Sequence, residues 1–439
     1  MKRADIVGAG KSGQAAAAAL HKKGFQVILW DRQDSETLRS VQRSLETEGI
    51  TVELGQDYSP DPTTALIVVS PGVPWNHRGL EAARQQGISV IGEAQLAWQL
   101  LPKCPWIAVT GTNGKTTTTA LIGEIFQEAG LNAPTCGNIG RPICDLVLCE
   151  ERPDWVIAEL SSYQIESSPQ VAPQIAVWTT FTPDHLERHG TVENYAAIKA
   201  SLIERAQCGI LNGDDPFLRQ HIQPDQLWTS THEKASVWIN EGQIMIEAEP
   251  LMAVSEIMIP GNHNLQNVLM AVAVAWQAGI PRPSIIKAIQ RFLGVPHRLQ
   301  MAGTLANIRF FNDSKATNYD AALVALQAIQ GPTVLICGGE AKKGDPQLWL
   351  EAIDQWCVAV VLIGTASALF GAWLAERQFP SIDYAETLDR AVPTAFALAQ
   401  QKGARQVLLS PACASFDQFK NFEARGEQFC ALVASLSGN

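Results

Sequence analysis

No stretch of this sequence approaches the ~20 apolar residues needed to span a bilayer, and it holds no internal repeat, no low-complexity tract and no excess of basic charge. Lys and Arg number 33 against 44 Asp and Glu, a net charge of -11. That balance argues against nucleic acid or an anionic membrane as the main partner, so any bound phosphate must be met by local donors. The nine cysteines (Cys104, Cys136, Cys144, Cys149, Cys208, Cys337, Cys357, Cys413 and Cys430) form no C-x-x-C pair and no zinc-like spacing. Scattered thiols of this kind fit a reducing cytoplasm. Met1-Lys-Arg followed by the run Ala15 to Leu20 loosely imitates a secretory signal, but the run is only six residues and sits behind Lys11. An Ala-rich helix is expected there instead.

At 439 residues the chain exceeds one hydrophobic core, and its length suggests about three domains. The stretch around which it is organised is Trp106-Ile-Ala-Val-Thr-Gly-Thr-Asn-Gly-Lys-Thr-Thr117. It reads as a buried strand, a glycine turn carrying Lys115, and a helix through Leu121, Ile125 and Phe126. Such a turn presents backbone N–H groups and a helix N-terminus to an anion, with Lys115 as a point charge and the Thr116 hydroxyl within reach of Mg2+. The common spacing G-x-x-x-x-G-K-[ST] would need glycine at Val109, whereas the first glycine is Gly111. The flanking strand and helix nonetheless favour a nucleotide loop over a plain surface turn.

In residues 1–93, Ile6-Val-Gly-Ala-Gly-Lys-Ser-Gly13 enters the Ala-rich helix, and a strand Val27 to Trp30 ends on Asp31. Gly8, Gly10 and Gly13 match G-x-G-x-x-G with an acidic residue near the usual offset, the fingerprint of a βαβ dinucleotide site. A strand Ala65 to Val69 runs into Ser70-Pro-Gly72. The fingerprint predicts a diphosphate on that helix N-terminus without choosing between a nicotinamide cofactor and a UDP-type ligand.

In residues 94–298, the strand Trp155 to Leu160 is apolar except for Glu159. A carboxylate buried there is costly unless cationic partners meet it, so a metal ligand is the economical reading, with a buried salt bridge or helix-end carboxylate as the alternative. Asp184 and His185 follow the strand Ile175 to Thr180. His185 and His189 are four apart, but the metalloprotease H-E-x-x-H order is absent, which argues against protein-bound zinc. Lys199 lies among Tyr195, Ile198, Leu202 and Ile203, either snorkelling to solvent or held inward for chemistry. Asn264 and Asn267, three apart at the start of an apolar helix, suit a flat base edge or simple capping. The turn Gly294 to Arg298 predicts a short linker near residues 296–303.

In residues 299–439, strands Arg309 to Phe311, Thr333 to Cys337, Ala359 to Ile363 and Gln406 to Ser410 each end in a glycine or polar turn and lead to a helical run. They predict a second open α/β sheet. Their turns carry lysines and hydroxyls suited to a small acid.

Taken together, Gly8 to Gly13, Thr110 to Thr117, Glu159 to Gln164, Asp184-His185, Tyr195 to Lys199, Gly261 to Asn267, His297-Arg298, Asn312 to Asn318 and Ser410 to Phe419 resemble the motifs of the Mur ligases, in family order over nearly the whole chain. The resemblance implies a three-domain α/β protein: a Rossmann-like UDP-substrate domain (1–93), a central P-loop-type ATPase sheet (94–298) and a Rossmann-like amino-acid domain (299–439). It implies ADP-forming addition of D-glutamate to UDP-N-acetylmuramoyl-L-alanine through an acyl phosphate, by a cytoplasmic monomer using ATP and two Mg2+. By resemblance, Gly111, Thr112, Asn113, Gly114, Lys115, Thr116 and Thr117 hold the nucleotide phosphates, Asn264 and Asn267 adenine, Arg298 the phosphates and Asp313 the ribose. Thr116, Glu159, His185 and a carbamylated Lys199 take metal, and Lys115, Glu159, His185 and Lys199 form the catalytic set. Gly10, Lys11, Ser12, Asp31, Arg32 and Gly72 hold the UDP end, with Asn138, Ser161 and Gln164 nearer the muramoyl-alanyl part. Lys315, Thr317, Lys342, Ser415, Phe416 and Phe422 meet D-glutamate.

The sequence departs from the family pattern at Gln300, where the family often has Glu, and it offers Lys342 and Lys343 for one cation. A nicotinamide-dependent oxidoreductase, the main alternative, leaves the Lys115 loop, Glu159 and His185 without a task. A nucleotide-sensing module is the other.

Overall fold

The computed structural model describes residues 2–222, 225–342 and 344–436. They fall into two compact units, Met1–Val254 with Gln266–Ile289, and Ser255–Leu265 with Gln290–Asn439. In chain order the first unit contains β1 (Arg3–Val7), β2 (Gln26–Asp31), β3 (Thr51–Leu54), β4 (Thr64–Val69) and β5 (Ser89–Gly92). They form one parallel sheet in the order β3-β2-β1-β4-β5. The helix Lys11–Lys22 follows β1, with Ala15, Ala16, Ala17 and Ala19 buried. This is the Ala-rich helix expected from the sequence, and its small side chains let it lie close to the sheet. At Gly13 a Cβ would come within 1.9 Å of the Gly8 carbonyl oxygen, so the helix can cross its own strand turn only with glycine there.

The same unit continues with β6 (Trp106–Thr110), β7 (Thr135–Gly137), β8 (Val156–Glu159), β9 (Ile175–Trp178), β10 (Cys208–Asn212), β11 (Leu227–Ser230), β12 (Val237–Asn240), β13 (Gln243–Ile246) and β14 (Glu249–Ala253). Their order is β14-β13-β12-β11-β10-β9-β6-β8-β7, with β12 to β14 antiparallel and the rest parallel. Every residue of β6, β8 and β9 is buried, which is why each reads as an apolar run, broken only at the carboxyl ends of β6 and β8 by Thr110 and Glu159. Because β6 sits between β8 and β9, the turn after it lies at a point where the strand order reverses, the usual ligand position in such sheets.

One apolar core joins the two sheets of this unit, from Ala4 and Ile6 through Ala94 and Leu96 to Trp106 and Trp178. At the junction β5 passes directly into the helix Glu93–Leu100. Glu93 is buried, and one of its oxygens accepts the Cys144 N–H at 2.6 Å while the other has no partner among the described residues. Burial pushes its pKa from 4.5 up to about 7. Folding therefore takes up a proton between those values, so the stability this carboxyl supports is complete below the unfolded pKa and is lost as pH rises through 7. Glu93→Gln, an isostere of the protonated form, is expected to melt above the native protein by a margin that widens from pH 5 to pH 8. The limit is on the order of 3 kcal/mol. Thermal unfolding of both proteins across that range checks it, and a constant margin would contradict the assignment.

The second unit contains β15 (Gln300–Leu305), β16 (Ile308–Asn312), β17 (Thr333–Gly338), β18 (Glu340–Ala341), β19 (Cys357–Ile363), β20 (Ile382–Glu386), β21 (Gln406–Leu409) and β22 (Cys413–Ala414). Its main sheet runs β15-β16-β21-β17-β19-β20, parallel except for β15, and β18 pairs with β22 in a small antiparallel ribbon. Residues 300–303, expected as part of a linker, thus belong to an edge strand, stabilised by pairing with β16 in a hairpin that the sequence's Gly/Pro content concealed. Across the described residues no helix is long and apolar enough to cross a membrane.

Candidate active site

The glycine turn after β6 is shaped by its own backbone and by the end of β9. Gly111 has φ 144°, and a Cβ there would lie 2.0 Å from the Thr179 hydroxyl oxygen; Gly114, at φ 83°, begins the helix Lys115–Glu128. Both positions therefore demand glycine, for conformation and for room. The Thr112 N–H donates to the Thr180 carbonyl at 2.8 Å, and the Asn113 N–H to the Thr180 hydroxyl at 2.9 Å. Lys115 Nζ lies back over the turn, donating to the Gly111 and Thr112 carbonyls at 2.9 Å each. Thr116 and Thr117 are buried in the first helical turn. The result is an anion cradle with a cation already held over it. Asn267 joins its far side, its Oδ1 accepting from the Thr118 hydroxyl at 3.2 Å.

Around this turn lie the other candidates of the first unit. Glu159, 1% exposed, ends β8 in register with Val109 of β6. One of its oxygens accepts from Asn138 Nδ2 at 2.8 Å; the other is buried with no partner among the described residues. An unmatched carboxylate oxygen is an expensive thing to bury, and a hard divalent cation is the group that matches it. The donor chemistry thus fits Mg2+, although the described residues hold no cluster of three or more His, Cys, Asp or Glu side chains able to bind a metal by themselves. Lys199 points inward: it is 1% exposed, donates to the Gly111 carbonyl at 3.0 Å and to the Thr110 hydroxyl at 3.4 Å, and lies 4.7 Å from the Tyr195 ring centre. Burial, aided by the positive charge of Lys115, lowers its pKa to about 7. His185 has φ 54°, a left-handed conformation that a non-glycine residue adopts only at a cost. It remains partly exposed beside Asp184 and Glu187. His189 is buried, with Nε2 bonded to the Ser162 hydroxyl at 2.9 Å and Nδ1 without a partner among the described residues.

The glycine fingerprint opens onto a cavity of about 550 Å³, within the usual range for small-molecule sites. Lys11, Ser12 and Arg32 line it, together with Asn138 from the turn after β7 and Gln164 from the helix Ser162–Glu166. Gly10 and Gly72 also line it, and a Cβ on either would meet no protein atom within 4 Å. Gly10 has an ordinary φ of -67°. Protein packing thus gives no reason for these glycines, and the open space beside them leaves the backbone accessible to a ligand. Asp31 braces the loop, accepting from the Ala9 and Gln33 N–H groups at 2.9 Å each. Ser161 and Gln164 cap the helix Ser162–Glu166 reciprocally, which fixes Gln164 in the cavity wall, while Ser161 is not among the residues that line it.

In the second unit the turns after β16, β17 and β21 converge. Asp313 is buried, accepting from the Leu299 N–H at 3.2 Å and the Ser410 hydroxyl at 2.8 Å, and burial raises its pKa to about 7. Lys315 Nζ lies 5.9 Å from the Phe422 ring centre, and Lys342 Nζ donates to the Thr317 hydroxyl at 3.5 Å. Ser415 is buried, while Phe416 is 71% exposed. Arg298 closes a turn with Val295, and Asn264 donates to the Pro260 carbonyl at 2.6 Å. Gln300 accepts from the His297 N–H at 3.0 Å and from Asn312 at 3.3 Å, so a neutral side chain ties this turn together. Lys343 lies outside the described residues. Sequence reasoning missed Thr179 and Thr180, whose position at the carboxyl end of a buried strand was the available signal, and Arg425, which carried none.

Comparison with known proteins agrees with this layout. A family model for the Mur ligase middle domain matches residues 109–275, and one for the N-terminal domain of MurD-like Mur ligases matches residues 2–92. The chain is 55% identical over 435 residues to the UDP-N-acetylmuramoylalanine--D-glutamate ligase of Gloeobacter violaceus, covering 98% of this chain and 99% of that protein. It is 49% identical over 451 residues to the enzyme of the same name from Synechocystis, covering 99% and 100%. Among solved structures, the fold is similar to the UDP-N-acetylmuramate-alanine ligase MurC of Thermotoga maritima, with a TM-score of 0.60 at 18% identity over 99% of both chains. MurF of Acinetobacter baumannii gives 0.57 at 18% identity, over 94% of this chain and 91% of that one. With full-length relatives at this level of identity and two domain models in their expected order, the chain belongs to the Mur ligase family.

Proposed function

We propose that this protein is the ATP-dependent ligase that adds D-glutamate to UDP-N-acetylmuramoyl-L-alanine in peptidoglycan precursor synthesis, forming ADP. The observation that carries the chemistry is the grouping of an anion cradle, a buried lysine and a carboxylate with an unmatched oxygen around the end of β6. A carboxylate resists attack by an amine until one of its oxygens becomes a phosphate leaving group. The uridine diphosphate lies on the Gly8 to Gly13 turn, and the alanyl carboxylate reaches toward Asn138 and the ATP γ-phosphate. Lys115 swings from its own turn onto the β- and γ-phosphates, and the helix N-terminus meets their remaining charge. Glu159, the Thr116 hydroxyl and His185 would hold Mg2+, with a second Mg2+ at Lys199. When bound, Mg2+ offsets charge on the transferring phosphoryl group.

Lys199 supports that second site through its own environment. With a pKa near 7, much of it is the neutral amine, which adds to CO2 and loses a proton to give a carbamate, a new oxygen ligand. The turns bearing Lys315, Thr317, Lys342, Ser415, Phe416 and Phe422 receive D-glutamate, whose amine attacks the acyl phosphate and expels inorganic phosphate. Asn264 and Asn267 meet adenine, Asp313 the ribose and Arg298 the phosphates. In this reading residues 1–93, 94–298 and 299–439 are the UDP-substrate, ATP and amino-acid domains of a cytoplasmic monomer. The free state of all nine cysteines fits that compartment.

The test is an amino-acid panel with ADP release as the readout. With UDP-N-acetylmuramoyl-L-alanine and ATP, D-glutamate is expected to give turnover at least ~10³-fold above L-alanine or diaminopimelate, the discrimination available to a site built on charge-assisted contacts. A clear preference for either alternative would overturn the assignment. Phosphate release that requires UDP-N-acetylmuramoyl-L-alanine and D-glutamate together would exclude a nucleotide-sensing module.

A further inference from the structure

The amino-acid turns are tied together by a residue that no role has yet used. Arg425, near the start of the helix Phe422–Leu436, is 1% exposed. Its Nε donates to the Ser314 hydroxyl at 2.9 Å, and one terminal nitrogen donates to the Ser314 carbonyl at 2.8 Å and the Cys413 carbonyl at 3.1 Å. The other terminal nitrogen reaches the Ala414 carbonyl at 3.4 Å. No carboxylate forms an ion pair with it among the described residues, so the fork is spent on neutral acceptors. That is an unusual use of a buried cation, since burial costs it solvation that carbonyl dipoles only partly replace. Burial accordingly brings its pKa down to about 10, still charged at neutral pH.

The placement of those acceptors is what makes the arrangement informative. Ser314 immediately precedes Lys315, and Ala414 immediately precedes Ser415. The Ser314 hydroxyl that accepts from Arg425 in turn donates to the Phe422 carbonyl at 2.8 Å. Cys413 and Ala414 pair with Ala341 and Glu340 in the β18–β22 ribbon, so the strand leading to Lys342 is held by the same backbone. Gly339, at φ 132°, leaves room for the guanidinium, since a Cβ there would lie 3.2 Å from its terminal nitrogen. One planar fork therefore sets the relative positions of the turns after β16, β17 and β21, a task a single ammonium cannot perform.

We propose that Arg425 is a positioning residue for the amino-acid subsite, fixing Lys315, Ser415 and Phe422 relative to one another without touching the substrate. This rests on the assignment of those turns to the amino acid under the proposed function. Arg425→Lys keeps the charge and loses the fork. It is expected to raise the KM for the amino acid at least ~10-fold, with the KM values for ATP and the UDP-linked substrate within ~2-fold of native and kcat at saturating amino acid largely kept. Ser314→Ala removes one acceptor and the link to Phe422, and is expected to move the same KM in the same direction by a smaller factor. It carries the test if Arg425→Lys does not fold. The amino acid used is whichever one the native enzyme prefers in the panel, so a wrong substrate identity and a wrong role for Arg425 give different results. Equal changes in all three KM values, or no change in any, would overturn the proposal.

Discussion

Lys199→Ala is expected to lower kcat for ligation by about 10³-fold, the scale on which removal of one preorganised electrostatic group acts, with the KM for D-glutamate little changed. The reason lies in where the amine sits. It is buried beneath the glycine turn, bonded to the Gly111 carbonyl and the Thr110 hydroxyl. A lysine kept there only for stability would leave the phosphate chemistry largely intact when removed. Under the proposed role, the variant loses the carbamate that would hold a metal. Excess bicarbonate then cannot restore activity, whereas a short carboxylic acid diffusing into the vacated space is expected to restore a fraction.

The native enzyme gives a second readout of the same role. Because the pKa of Lys199 is depressed to about 7, the reactive neutral amine is lost as pH falls through that value. Activity is expected to fall with it and to be partly recovered by added bicarbonate, which raises carbamate occupancy. Lys199→Arg, always charged and unable to form the carbamate, is expected to match the alanine variant without rescue by bicarbonate. Near-native turnover of Lys199→Ala would remove Lys199 from the mechanism.

The parts of this site legible in the sequence are those where local geometry leaves few choices. Gly111 and Gly114 need glycine for reasons internal to one turn, and Gly13 for the passage of a helix over its own strand. Buried parallel strands announce themselves as apolar runs, so β6, β8 and β9 could be placed, and with them the turns at their carboxyl ends. Glu159 stood out because a lone carboxylate in such a run needs an explanation. Other features depend on partners far away in the chain. The antiparallel strands β12 to β14 are short and only partly buried, and β15 is an edge strand beside a Gly/Pro turn, so neither has a strong period. Glu93 and Arg425 look like ordinary helix charges; Cys144 is 51 residues from Glu93, and Ser314 is 111 from Arg425. Asp31 shows the intermediate case: its spacing pointed to a ligand, while one of its oxygens is bonded to the glycine loop at the Ala9 N–H and the other to the Gln33 N–H of its own turn.

Glu159→Gln is the change expected to separate catalysis from stability. Asn138 donates to one oxygen of Glu159, a bond the glutamine carbonyl can keep. The other oxygen is buried without a partner, so in the absence of metal the carboxylate is paid no compensation for its lost hydration. Glutamine replaces that buried charge with a neutral amide of the same size, and the variant is expected to melt at a temperature at least as high as the native protein. Ligation is expected to fall at least ~100-fold, because the group proposed to meet Mg2+ has lost its charge. Mg2+ with ADP should raise the melting temperature of the native protein and leave that of Glu159→Gln almost unmoved. Ordinary structural destabilisation gives the opposite pattern, a lower melting temperature with the Mg2+ increment preserved, and that result would assign Glu159 to the core of the fold and remove it from the metal site.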